Sequence, residues 1–133
     1  MIKLYIGAKG SGKTKTLIEL VNNAAATSNG SVVCIEKGDK LTHEITYKAR
    51  LIDTEDYCVN TAAGLYGFIA GILASNSDIT DIFVDGTLKI CQGDVEAYAN
   101  ILPRLDELTK EVNLVMTVSI AIDECPESIK TFA

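Results

Sequence analysis

Near the start of the chain, glycines, a lysine and a threonine fall at fixed offsets in Gly7-Ala8-Lys9-Gly10-Ser11-Gly12-Lys13-Thr14. Glycine, four residues, then Gly-Lys and a hydroxyl residue is the spacing of a phosphate-binding loop. Without Cβ atoms, the glycines let backbone N–H groups turn inward and approach a dense anion. A helix starting at about Gly12 would point its unsatisfied N–H groups and positive dipole end at the same place. Lys13 is then expected to reach the β- and γ-phosphates of a nucleoside triphosphate, and Thr14 to offer its hydroxyl to Mg²⁺. All eight residues are candidate triphosphate ligands. Lys9 reads as a solvent-facing loop lysine that helps to attract phosphate.

Such a loop needs an acid nearby to hold the metal. Ile79-Thr80-Asp81-Ile82-Phe83-Val84-Asp85 is an apolar run that ends in aspartate. In a parallel sheet the carboxyl edge of that strand is also where a phosphate loop sits. Asp85 is therefore the second candidate metal ligand and, with Lys13, a candidate catalytic residue. Glu36 and Asp39 follow another strand-like run and are candidates to orient water or a substrate hydroxyl, against a plain reading as solvated loop acids. Thr117 and Ser119 could sense a γ-phosphate or be ordinary strand residues. Arg50 reads first as an exposed strand arginine, and as a finger in trans only in a dimer. Asp123 and Glu124 read as solvated.

The elements that must position these groups are legible as alternating patterns. Residues 2–6 read as a buried strand, and residues 13–27 as a helix with Leu17, Leu20, Val21 and Ala24 at helical spacing. Gly30 reads as that helix's stop. Ser31 to Glu36 is a continuous apolar strand of the kind buried on both faces. From His43 to Asp53 the pattern partly alternates, which predicts an exposed strand or a small β-excursion, and Tyr57 to Asn60 reads as a short core strand. Thr61 is a plausible cap for a helix over 62–75. Gly93 to Glu111 is an amphipathic helix that Pro103 is expected to kink or split. Val112 to Ile122 is the last strand. This alternation predicts a three-layer α/β/α sandwich around a mostly parallel sheet of about five strands.

At 133 residues the chain is expected to be one domain spanning 1–133. Its net charge of −6 argues against non-specific nucleic-acid binding, which needs a basic face. Cys34, Cys58, Cys91 and Cys125 are isolated and His43 is the only histidine, so no zinc-like or redox spacing is present. A reducing, cytoplasmic setting is expected. No leader is expected, since the first residues read as a strand leading into the loop. No membrane span is expected either: the most apolar run, residues 62–74, is short and carries Gly64, Gly67 and Gly71.

The glycine loop between strand and helix, with Asp85 ending a later strand, resembles the P-loop NTPase superfamily. The order of elements over residues 1–122 is similar to the RecA-like core of type II thymidine kinases. That resemblance implies ATP and Mg²⁺ as cofactors, and no guanine-reading Asn/Thr-Lys-x-Asp run is present. The family has a glutamate general base directly after the aspartate, whereas this chain has Gly86 there. The family's zinc-ribbon cysteines and thymidine-binding lasso have no counterpart here. The expectation is a small protein that binds Mg·ATP and hydrolyses it slowly, as a regulatory or assembly ATPase with a possible protein partner or homodimer. A small-molecule or nucleoside kinase and a non-catalytic nucleotide-binding protein are the alternatives.

Overall fold

The apolar runs pair side by side. A computed structural model describes residues 1–133 and places five strands in one sheet: β1 (Ile2–Gly7), β2 (Ser31–Glu36), β3 (Arg50–Asp53), β4 (Ile79–Val84) and β5 (Asn113–Ser119). Their spatial order is β1-β5-β4-β2-β3, and every pairing is parallel. All carboxyl ends therefore lie at one edge of the sheet.

Parallel strands need crossovers that cover both faces. Here these are α1 (Lys13–Thr27), α2 (Ala62–Ser75), and the single turn α3 (Thr87–Ile90) with α4 (Val95–Leu108); a last single turn, α5 (Glu127–Lys130), follows the final strand. Alternate strand residues divide between two cores. Val33, Ile35, Ile82, Val84, Leu114 and Met116 pack with Leu65 and Ile69 of α2 and Tyr98, Leu102 and Leu105 of α4. Val32, Cys34 and Phe83 face the other way, onto Leu17 and Val21 of α1 and onto Leu41 and Ala49. The result is the expected three-layer α/β architecture, with a sheet that is wholly rather than mostly parallel. No helix is long and apolar enough to cross a membrane.

Four local expectations change. Residues 43–49 form turns instead of the exposed strand expected over 43–53, and only Arg50–Asp53 joins the sheet. Residues 54–57 make a 3₁₀ turn, not the start of a core strand, and Cys58 follows with φ 57°. Pro103 does not split α4, which runs unbroken through Leu108. Gly30 lies beyond the end of α1, where a Cβ would collide with the Asp78 carbonyl, so close approach explains it instead of helix termination. Thr61 does cap α2, its hydroxyl accepting from the Gly64 N–H at 2.9 Å.

Candidate functional site

The loop between β1 and α1 leaves the sheet at Gly7, whose register partner is Ser119 at the end of β5. A Cβ at Gly7 would lie 2.6 Å from Ser11 Oγ, so a side chain there would displace the Ser11 hydroxyl. Gly10 and Gly12 have φ of 85° and 88°, the left-handed region that glycine enters freely. Lys13 folds back over the loop, its Nζ donating to the Ala8 carbonyl at 3.0 Å and to Ser11 Oγ at 3.3 Å. Burial pulls its pKa below the ordinary lysine value, against the opposing pull of the Asp85 charge.

Asp85 follows β4 directly. Its N–H donates to the Ile35 carbonyl of β2 at 2.9 Å, which continues the sheet one residue further. Thr14 Oγ1 lies 3.2 and 3.3 Å from the two Asp85 carboxylate oxygens. A hydroxyl and a carboxylate 71 positions apart in sequence thus meet at one point. Both are hard oxygen donors, a set that suits Mg²⁺, which typically takes one or two protein oxygens and keeps several waters.

Between β1 and β4 lies β5, and it supplies a residue that holds Asp85. Thr117 is buried, and its hydroxyl donates to Asp85 Oδ1 at 2.8 Å while accepting from the Gly86 N–H at 2.7 Å. The Thr87 hydroxyl in turn donates to the Thr117 carbonyl at 2.9 Å. Thr117 is thus an orienting group for the aspartate. Gly86 has φ of 70° and turns the chain into α3. A side chain there would be strained by about 1–2 kcal/mol.

An acid does stand beside Asp85, on the neighbouring strand. Glu36 ends β2 and is 3 % exposed, yet it lines the same cavity as Lys13, Thr14 and Asp85. Its Oε2 accepts from the Leu41 N–H at 3.0 Å. Burial raises its pKa above the usual carboxylate value, with the Asp85 and Asp53 charges adding and the Leu41 hydrogen bond opposing. Beneath it, burial first and then Glu36 and Asp85 push the Cys34 thiol up to about 12, so this cysteine is not a nucleophile.

The other candidates disperse. Asp39, Asp123 and Glu124 are exposed and lie outside this cavity, and Arg50 opens β3 at the opposite edge of the sheet. Ser119 lines the cavity. The four cysteines are free, and no cluster of His, Cys, Asp or Glu has metal-binding geometry.

Two cavities flank the loop. One, of about 840 Å³, runs from Lys9, Lys13 and Thr14 past Asp85 and Glu36 to Lys37, Lys40 and Lys89. The other, of about 520 Å³, lies on the far side of the loop against Tyr5, Ile6, Thr16, Ala121 and Ile122. Neither Thr117's grip on Asp85 nor the gathering of lysines was visible in the sequence. The lysines had a signal, however, because Lys9, Lys37, Lys40 and Lys89 all follow the carboxyl ends of strands.

No family model matches this chain, and no curated protein matches it. Solved structures do. One is the structure of PCH-2 from C. elegans, at 14 % identity and a TM-score of 0.56. The match covers 99 % of this chain and 33 % of that one, so this chain spans about a third of that neighbour's length. At that identity the likeness is one of fold: a five-stranded parallel α/β sheet.

Proposed function

We propose that the protein binds Mg·ATP at the Gly7–Thr14 loop and turns it over slowly, in the cytoplasm, as a regulatory or assembly ATPase. The observation that carries this reading is the meeting of Thr14 Oγ1 with both carboxylate oxygens of Asp85.

In this reading the loop's N–H groups and Lys13 hold the phosphates. The Thr14 hydroxyl and Asp85 hold Mg²⁺, which when bound neutralises charge developing on the phosphoryl oxygens. Thr117 keeps the Asp85 carboxylate turned toward Thr14. The purine enters the cavity beside Tyr5, Ala121 and Ile122, the apolar side of the loop, where Ile122 is 60 % exposed and free to cover a ring. Glu36 is the acid best placed to accept a proton from the attacking nucleophile, and its raised pKa suits a base working nearer neutrality.

Thermal denaturation with and without Mg·ATP tests the reading. Wild type should be stabilised, and Lys13→Ala and Asp85→Ala should not. Equal stabilisation of wild type and Lys13→Ala, or none of wild type, ends it.

A kinase is the second reading. The cavity that holds Asp85 is also lined by Glu36, Lys37, Lys40 and Lys89, which offer polar groups to a second ligand beside the nucleotide.

A further inference from the structure

The chain carries excess negative charge, yet six of its ten lysines line one cavity: Lys9, Lys13, Lys15, Lys37, Lys40 and Lys89. The protein's two ion pairs, Lys110–Glu107 and Lys130–Glu127, lie elsewhere, and none of the six has a carboxylate within ion-pair distance. Six ammonium groups there face two carboxylates, Glu36 and Asp85. Like charges repel, so such a gathering costs folding free energy unless something anionic occupies it.

Lys9, Lys13 and Lys15 belong to the phosphate loop and the start of α1. Lys37, Lys40 and Lys89 do not. Lys37 and Lys40 follow β2, on the side of Asp85 away from β1, and Lys89 follows Asp85's own strand, β4. The Lys40 ammonium lies close against Lys89, and together with Lys37 and Lys9 it pulls the Lys89 pKa down.

The segment that presents Lys37 and Lys40 is anchored. Asp53 Oδ1 accepts from the Gly38 N–H at 2.8 Å, and Glu36 accepts from the Leu41 N–H. Leu41 is buried in the core beneath α1. Two backbone N–H groups and one apolar side chain thus fix a five-residue turn whose two lysines stay unpaired.

We infer that Lys37, Lys40 and Lys89 form a second anion subsite, which holds the phosphate of a small hydroxyl-bearing phosphate monoester as phosphoryl acceptor. This deepens the kinase reading and rests on nucleotide binding at the loop. Three ammonium groups suit a phosphate monoester, with close to two negative charges and three acceptor oxygens, better than a single carboxylate. At about 840 Å³ the cavity sits high in the roughly 300–1,000 Å³ range of small-molecule sites, with room for a second ligand beside the γ-phosphate. Glu36 ends β2 directly before Lys37 and lines the same cavity as Asp85 and the three lysines. In the transfer, the acceptor's hydroxyl oxygen bonds to the γ-phosphorus as the bond from that phosphorus to the β,γ-bridging oxygen breaks. ADP leaves with that electron pair, and the hydroxyl proton passes to the Glu36 carboxylate.

The test uses the full chain with γ-labelled ATP and Mg²⁺. The panel comprises sugar phosphates, nucleoside monophosphates and phosphorylated hydroxy acids, each beside its dephosphorylated counterpart. Label should reach a phosphorylated member and not its dephosphorylated counterpart. Lys40→Ala with Lys89→Ala, both at exposed positions, should raise that acceptor's KM at least tenfold and the KM for ATP less than threefold. Lys40→Arg with Lys89→Arg should restore most of the acceptor affinity. Three outcomes overturn the proposal while Mg·ATP still stabilises the protein: no labelled product, equal labelling of the dephosphorylated counterparts, or an unchanged acceptor KM in the alanine pair. If Mg·ATP fails to stabilise the protein at all, the nucleotide reading beneath it falls instead.

Discussion

The two cavities beside the Gly7–Thr14 loop are built of opposite materials. One is walled by Tyr5, Ile6, Ala121 and Ile122 and offers apolar surface. The other is walled by lysines with two acids set among them. The phosphate loop is their common wall. A nucleotide has the same asymmetry, an aromatic base at one end and a terminal phosphate at the other. The contrast therefore gives the ligand a direction, with the base toward Ile122 and the γ-phosphate toward Asp85 and Glu36.

Breaking the charged side should have the largest effect. Glu36→Gln keeps the size and an acceptor for Leu41 but removes the base, so turnover should fall about 10²–10⁴-fold with little change in the KM for ATP. A steady-state assay decides it, and unchanged turnover would remove Glu36 from the chemistry. The same variant has a stability signature. Burial raises the folded-state pKa above the ordinary 4.5, so the folded protein holds this proton more tightly than the unfolded chain does. The stabilisation that protonated Glu36 provides is complete below the unfolded value and is lost as pH rises through the folded value. Glu36→Gln should therefore melt higher than wild type at pH 8 and about level with it at pH 4.

Next comes the shared wall. Lys13→Ala removes a charge-assisted contact to phosphate of about 3 kcal/mol, which is roughly a hundredfold in affinity for Mg·ATP by calorimetry. Thr117→Val keeps the shape but strips the donor from Asp85 and leaves the Gly86 N–H without its partner. It should cost about 1–3 kcal/mol in denaturant unfolding and raise the Mg²⁺ concentration needed for ATP binding. The apolar side should matter least. Ile122→Ser should weaken ATP by about 1 kcal/mol, near fivefold, and leave inorganic triphosphate unaffected. An equal loss for both ligands would reverse the direction assigned to the nucleotide.

Much of the scaffold was readable because burial leaves a periodic trace. β2 and β4 are apolar on both faces because both faces are covered, and α1 and α4 carry one apolar stripe each. The parallel alternation and the loop followed from those traces. The segment from 43 to 49 left a misleading one. Ile45, Tyr47, Ala49 and Leu51 alternate as in a strand, but Asn22 of α1 donates to the Glu44 carbonyl and accepts from the Thr46 N–H, both at 2.9 Å. A side chain satisfies the backbone there that a strand neighbour would otherwise satisfy, and Tyr47 is left 91 % exposed. Asp53 acts similarly at the next turn, accepting from the Glu55 N–H at 2.9 Å and winding residues 54–57 into 3₁₀ geometry. The single turn α3 is too short to show a period.

In the site, Thr14 and Asp85 could be named from spacing and strand ends. Their meeting could not, because it depends on which strand lies between β1 and β4. Thr117 and Glu36 were visible as polar residues at strand ends but not as an orienting group and a buried acid. Those roles come from register and coverage, which pairwise sequence spacing does not encode.

Thr117 also ties ligand affinity to the correctness of strand alignment. It sits on β5 between Met116 and Val118, and in a parallel ladder a slip of one residue exchanges the faces of every side chain. A β5 shifted by one place would set a thioether or a methyl under Asp85, and neither donates a hydrogen bond to a carboxylate. The aspartate would turn freely and the Gly86 N–H would be buried without a partner. Only the chain with β5 in register presents Asp85 to Thr14 in a fixed pose. A ligand that engages both residues would draw the population toward that alignment and so proofread the sheet as it assembles.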